Sequence, residues 1–109
     1  MQAGDIIWVN LPKTTGSVQC GCRPCVILGN QKACASSSVV TVIPITSRIE
    51  KTNKIPTHIM ISGLKRKSFI LPEQIRTVSK DCLCGEPVYS LSSKEKKEVW
   101  DAVATQLGL

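Results

Sequence analysis

Apolar positions fall into six short runs, cut by clusters of Gly, Pro, Asn, Ser and Lys, and their period changes once, near the C-terminus. Residues 5–10 read as a first strand, ended by Leu11-Pro12. Residues 24–29 and 38–45 are rich in β-branched side chains and predict central strands. In 57–62, Thr, Ile and Ile alternate with His, Met and Ser, the pattern of a half-buried strand. Two shorter runs, 68–71 and 74–78, flank Pro72. The stretches 11–22, 30–37, 47–55 and 79–87 carry turn residues and read as loops.

The last segment changes to helical spacing. Ser92 and Glu95 match a capping box, in which the N-cap hydroxyl and the carboxylate three residues on satisfy each other's backbone N–H. Val99, Ala102, Val103 and Leu107 then recur on one helical face, and Gly108 is placed to stop the helix. Short strands followed by one amphipathic helix predict a mainly β domain over 1–109, an SH3-like barrel of five to seven strands capped by a C-terminal helix. Trp8 and Trp100 read as core residues.

Charge adds a partner class. The net charge is +6, but residues 13–80 hold eleven lysines and arginines against two acids, Glu50 and Glu73, a net of +9. A positive body of this kind suits a polyanion, most simply nucleic acid. No run approaches the ~18 apolar residues that cross a bilayer. The first residues hold neither a basic region nor a long apolar stretch, so a cytoplasmic protein without membrane contact is expected.

Six cysteines lie at 20, 22, 25, 34, 82 and 84. Without an export signal they are expected to be free thiols rather than a disulfide framework. The C-x-x-C at Cys22–Cys25 runs into Val26-Ile27-Leu28, a strand, whereas a redox motif needs to open a helix. Cys20-x-Cys22 and Cys82-x-Cys84 lack the usual zinc-knuckle spacing. No metal or cofactor is therefore expected.

The candidate chemistry sits in three polar islands at the ends of apolar runs, 16–24, 44–47 and 73–77, where a rigid scaffold carries functional groups. A two-histidine ribonuclease is ruled out by the single histidine, His58, which reads as structural within its strand. Carboxylate-pair and two-metal hydrolysis lack their acids near the islands. What remains is Arg23, placed between a small-residue loop and Pro24 and able to grip two phosphate oxygens, with the hydroxyls of Thr46 and Ser47.

These motifs, taken in order, resemble the MazF/PemK (Kid) family of toxin endoribonucleases. The resemblance runs from Gly4-Asp5-Ile6-Ile7-Trp8-Val9 through Gly16-Ser17-x-Gln19-x-Gly21-x-Arg23-Pro24, Pro44-Ile45-Thr46-Ser47, Pro56-Thr57-His58 and Gln74-Ile75-Arg76-Thr77 to Leu107-Gly108-Leu109. It implies the same barrel, and Arg23 and Thr46 as the catalytic pair. The implied reaction is metal-independent, sequence-specific cleavage of single-stranded RNA, leaving 2′,3′-cyclic phosphate and 5′-OH ends. It also implies a homodimer with RNA in an interfacial groove and a cognate acidic antitoxin that fills that groove. Candidate RNA contacts are Ser17 and Gln19 in the first island, Ser47, Arg48 and Lys54 after the second, Lys65 and Arg66 in the next loop, and Gln74 and Arg76 in the third island. Many relatives carry Glu between the Ser and Gln of the first island; here it is Val18, so no carboxylate base stands there. The competing readings are a non-catalytic toxin of the same fold acting on gyrase, and a basic RNA-binding module.

Overall fold

The computed structural model describes residues 1–47 and 58–109. Strands β1 (Asp5–Leu11), β2 (Gly21–Leu28) and β3 (Val39–Thr46) form its centre, with a short helix α1 (Gln31–Ser36) between the second and third. Then come β4 (Ile59–Ile61), β5 (Ser68–Ile70), a 3-10 turn at Pro72–Gln74, β6 (Arg76–Ser79), a second 3-10 turn at Lys80–Cys82, β7 (Leu83–Ser90) and the helix α2 (Ser93–Leu107). The sheet order is β4-β5-β3-β2-β1-β7, with β6 also paired to β3.

The central strands are nearly continuous apolar runs because the sheet is covered on both faces. Ile6, Val26, Ile43 and Ile45 pack on one side with Ile70, Leu91 and Val99 of α2. Ile7, Val9, Cys25, Ile27 and Val42 pack on the other with Cys34 of α1 and Val78 of β6. Burial of this kind contributes roughly 25 cal/mol per Å² of apolar surface, so the two-sided core is the main source of stability.

β3 changes partners along one edge. Val39–Val42 pair with β6, and Ile45 and Thr46 pair with β5. Pro44 lies in the gap, where its missing N–H interrupts no ladder bond on that edge, and its carbonyl accepts from the Leu71 N–H at 3.0 Å. This split lets the sheet curl into the half-barrel expected of an SH3-like fold. At the opposite edge β1 and β7 lose register: Ile6 faces Tyr89 but Trp8 faces Cys84, so residues 85–88 bulge outward against Ile7 alone.

Helix α2 forms as its sequence dictates. The Ser92 hydroxyl accepts from the Glu95 N–H at 3.1 Å, and the Glu95 carboxylate accepts from the Ser92 N–H at 2.8 Å. Gly108 closes the helix with φ +74°, a conformation that suits glycine.

Four expectations are corrected. β2 begins at Gly21 rather than 24, so Arg23 is a strand residue paired with Val9 and not part of a loop. β7 occupies most of the predicted 79–87 loop, where Gly85 and Pro87 had masked a bulged strand. α1 forms within the predicted 30–37 loop. Trp8 and Trp100 are not core residues: they are 42% and 38% exposed. Trp8 stands beside the register break between β1 and β7 and lines a surface cleft. The predicted strand over 57–62 is seen as Ile59–Ile61. Arg48, Lys54 and Thr57 lie outside the described residues.

Candidate nucleic-acid interface

The β2–β3 ladder brings together the first two islands, whose Arg23 and Thr46 lie twenty-three residues apart in the chain. Its last pairs are Val26 with Ile43 and Cys25 with Pro44. Arg23 and Thr46 each lie two residues beyond that last pair, at the same end of the ladder. Thr46 ends β3, pairs with Phe69 and is 3% exposed. Its chain neighbours Ile45 and Ser47 both line a cleft of about 620 Å³.

That cleft has an apolar floor and a cationic rim. Trp8, Pro24, Ile45, Leu64 and Val88 supply the floor. Arg23, Lys65 and Arg66 supply the charge, and Ser47 and Ser68 the hydroxyls. Glu73, the acid of the positive body among the described residues, does not line it and holds His58 at 2.6 Å. A chain of phosphates, sugars and flat bases has the chemistry to fill such a groove. Gly63 on the cleft wall is forced by packing, since a Cβ there would run into the ring of Tyr89.

The first and third islands meet in a different way. Gln74 Oε1 accepts from the Gln19 N–H at 2.7 Å, and Gln74 Nε2 donates to the Ser17 carbonyl at 3.2 Å. Arg76 Nη1 donates to the carbonyls of Gln19 at 3.2 Å and Pro12 at 3.5 Å. The Nε of Arg23 donates to the Cys20 carbonyl at 3.0 Å. Ser17, Gln19, Gln74 and Arg76 therefore form one connected cluster, bonded to each other, while Ser47, Lys65 and Arg66 line the cleft. The side-chain Oε1 of Gln19 is buried with no hydrogen-bond partner among the described residues, a burden of roughly 1–3 kcal/mol on this loop.

The cysteines divide by face. On a strand, positions three apart point to opposite sides, so Cys22 is exposed and Cys25 is buried, and the C-x-x-C spacing does not bring the two thiols together. Burial pushes the Cys25 thiol up to about 12, against the opposing pull of Arg76 and Arg23, which keeps it neutral. All six cysteines are free. Among the described residues no group of three or more His, Cys, Asp or Glu side chains could hold a metal ion, and no helix is long and apolar enough to cross a membrane.

A small curled barrel capped by a helix, with a cationic cleft where Arg23 and Thr46 end the β2–β3 ladder, defines a class of compact, basic nucleic-acid-handling domains. Within that class the assignment is specific. The sequence profile of the PemK-like, MazF-like toxins of type II toxin–antitoxin systems matches residues 2–107, and the chain belongs to this family. It is 44% identical to Endoribonuclease MazF of Staphylococcus saprophyticus, over 100% of this chain and 92% of that protein. Its fold matches crystalline MazF of Deinococcus radiodurans with a TM-score of 0.85 at 21% identity, covering 100% of this chain and 97% of the other. It also matches a mycobacterial endoribonuclease in complex with its cognate antitoxin, with a TM-score of 0.74 at 20% identity, covering 100% of this chain and 94% of the other.

Proposed function

We propose that the chain is the toxin of a toxin–antitoxin pair: an mRNA-cleaving, sequence-specific endoribonuclease acting on single-stranded RNA. The observation that supports it most directly is a cationic cleft lined by Arg23, Lys65 and Arg66, with Thr46 placed between its lining residues Ile45 and Ser47. The family membership and the endoribonuclease of S. saprophyticus point the same way.

In this reading the ribose 2′-oxygen attacks the adjacent phosphorus and the P–O5′ bond breaks, leaving a 2′,3′-cyclic phosphate and a 5′-OH. The negative charge that builds on the phosphorane oxygens is the main barrier a protein can lower. Arg23 is held through Nε on the Cys20 carbonyl, which fixes the plane of its guanidinium. It then offers its terminal nitrogens to two phosphate oxygens. A guanidinium hardly deprotonates, so Arg23 acts on the leaving oxygen chiefly by stabilising its charge, with water supplying the proton and taking the one lost from the 2′-OH. Thr46 orients the scissile phosphate from the opposite strand. Ser47, Lys65 and Arg66 hold flanking phosphates, with Arg48 and Lys54 as further contacts in the segment outside the described residues. Trp8, exposed in the cleft, offers a face on which a base can stack.

The reading includes a homodimer in the cytoplasm and an acidic cognate antitoxin that competes with RNA for the cleft. The test is incubation with a long single-stranded transcript in EDTA, followed by mapping of 5′-OH ends. Wild-type protein is expected to give discrete sites, and Arg23→Ala to lose about 10²–10³ in rate. Thr46→Ala is expected to bind RNA but not cut it, and Thr46→Ser to keep part of the activity. RNA binding without new ends, or full turnover by folded Arg23→Ala, overturns the proposal.

A further inference from the structure

Gln74 and Arg76 invite assignment as RNA contacts, yet both amide atoms of Gln74 and the Nη1 of Arg76 are turned onto the protein's own backbone. The amide of Gln74 meets the Ser17 carbonyl and the Gln19 N–H. These two groups, spaced i and i+2, are the pair that one residue of a neighbouring β-strand would engage in a parallel ladder. Gln74 thus stands in for a missing strand along 17–19. Arg76 adds donation to the carbonyls of Gln19 and Pro12, both from the single nitrogen Nη1. The loop so held carries at its end the Cys20 carbonyl, on which Arg23 rests its Nε. Glu73, beside Gln74 in the 3-10 turn, is in turn tied to His58.

We infer that Gln74 and Arg76 are positioning residues that act on Arg23 through the 12–20 loop, rather than contacts to the RNA. The clamp stretches from the 3-10 turn and β6, through loop 12–20, to the start of β2, and it fixes the Cys20 carbonyl on which Arg23, a residue of the cleft lining, rests its Nε. It also explains how the loop tolerates the unpartnered, buried Gln19 Oε1: four hydrogen bonds from two side chains hold it there. The chemistry of each residue fits this work. Gln is the side chain that both donates and accepts in the manner of a peptide group. An arginine reading phosphate would present two nitrogens as a fork, whereas Arg76 uses one nitrogen for two carbonyls.

This inference rests on Arg23 acting in RNA cleavage, and the test separates the two. The variants are Gln74→Ala, Gln74→Glu, Arg76→Met and Arg76→Lys, with Arg23→Ala as control, assayed on one long transcript with mapped sites. Gln74→Ala and Arg76→Met are expected to lower kcat by between about tenfold and a hundredfold, the scale of a misplaced reacting group, with KM changed less than about threefold. Arg76→Lys is expected to restore much of kcat, since one ammonium nitrogen can serve both carbonyls. Gln74→Glu keeps the acceptor for Gln19 but sets a carboxylate against the Ser17 carbonyl, and is expected to fall with Gln74→Ala. A readout independent of cleavage is the ¹⁵N–¹H signal of the Arg23 Nε–H. It should be protected from exchange in the wild type and lose protection in Gln74→Ala and Arg76→Met, with the amide spectrum otherwise retained. A raised KM with unchanged kcat, or failure of Arg76→Lys to rescue, makes these residues RNA contacts and overturns the inference. So does an Arg23 Nε–H that stays protected in both variants. Full activity of Arg23→Ala would instead remove the underlying reading, while the exchange measurement would still report on the clamp.

Discussion

At the scale of single residues, the face on which a side chain falls decides what it can do. Arg23 and Cys25 are two apart on β2 and so share a side of the strand. Arg23 stands at its margin, lining the cleft, while Cys25 is fully buried and kept neutral by burial. Cys22 faces the other way and is exposed, as is Cys84. Because the thiolate is the reactive form, a thiol raised this far by burial is protonated and unreactive near neutral pH. Iodoacetamide at about pH 8, applied to the native protein and read by peptide mass mapping, is therefore expected to label Cys22 and Cys84 first. Cys25 should react only after unfolding. Early labelling of Cys25 would mean that β2 opens at the site. The sequence showed the six thiols but not this division, which depends on Arg23 lying inside a strand that begins at Gly21. It also could not show that Arg23 and Thr46 come to the same end of the β2–β3 ladder, because strand register is set by packing across the sheet.

At the scale of elements, legibility followed how local the determinants are. Helix α2 was readable to the residue, since the Ser92–Glu95 capping box and the Gly108 stop are decided within one turn of chain. β1 and β3 were readable because their burial on both faces demands continuous apolar runs. β7 was not, because Leu83–Ser90 carries Gly85 and Pro87 in a bulge that only pairing with β1 sustains. α1 was not, since its six residues pack through Cys34 rather than through a periodic face. The helix cap also reaches the cleft: Tyr89 donates to Glu95 at 2.9 Å, and Gly63 of the cleft wall lies against the Tyr89 ring. Burial alone would raise Glu95, but hydrogen bonds from the Ser92 backbone, Tyr89 and the Ser92 side chain outweigh it and lower it below its usual 4.5. A carboxylate lowered on folding stabilises above its unfolded value, and that stability is lost as the pH falls through the folded value. Thermal melts of wild type should therefore drop below about pH 4.5, and Glu95→Gln should flatten that drop while lowering the plateau above it. Ser92→Ala should cost roughly 1 kcal/mol near neutrality. An identical acid limb in Glu95→Gln would detach this carboxylate from the stability of the fold.

At the scale of the whole molecule, the net of +9 over residues 13–80 overstates the charge available to RNA. Arg76 is turned onto the carbonyls of Gln19 and Pro12, and Lys80 Nζ lies 2.7 Å from the Cys34 carbonyl. Arg23, Lys65 and Arg66, by contrast, line the cleft. Cations committed to the fold release few counterions when RNA binds, and those in the cleft release most. Each phosphate neutralised on a single strand adds roughly 0.7 to the slope of log affinity against log salt, so three cleft cations imply a contribution near 2. Anisotropy titrations of a 2′-O-methylated single-stranded oligonucleotide, which cannot be cleaved through its 2′-oxygen, would measure this directly. Replacing both Lys65 and Arg66 by alanine is expected to lower the slope by roughly 1.4, whereas Arg76→Met and Lys80→Met should leave it within error of wild type. If all four substitutions lowered the slope equally, the charge would act as a diffuse field around the molecule, and the cleft would lose its claim to be the path of the phosphates.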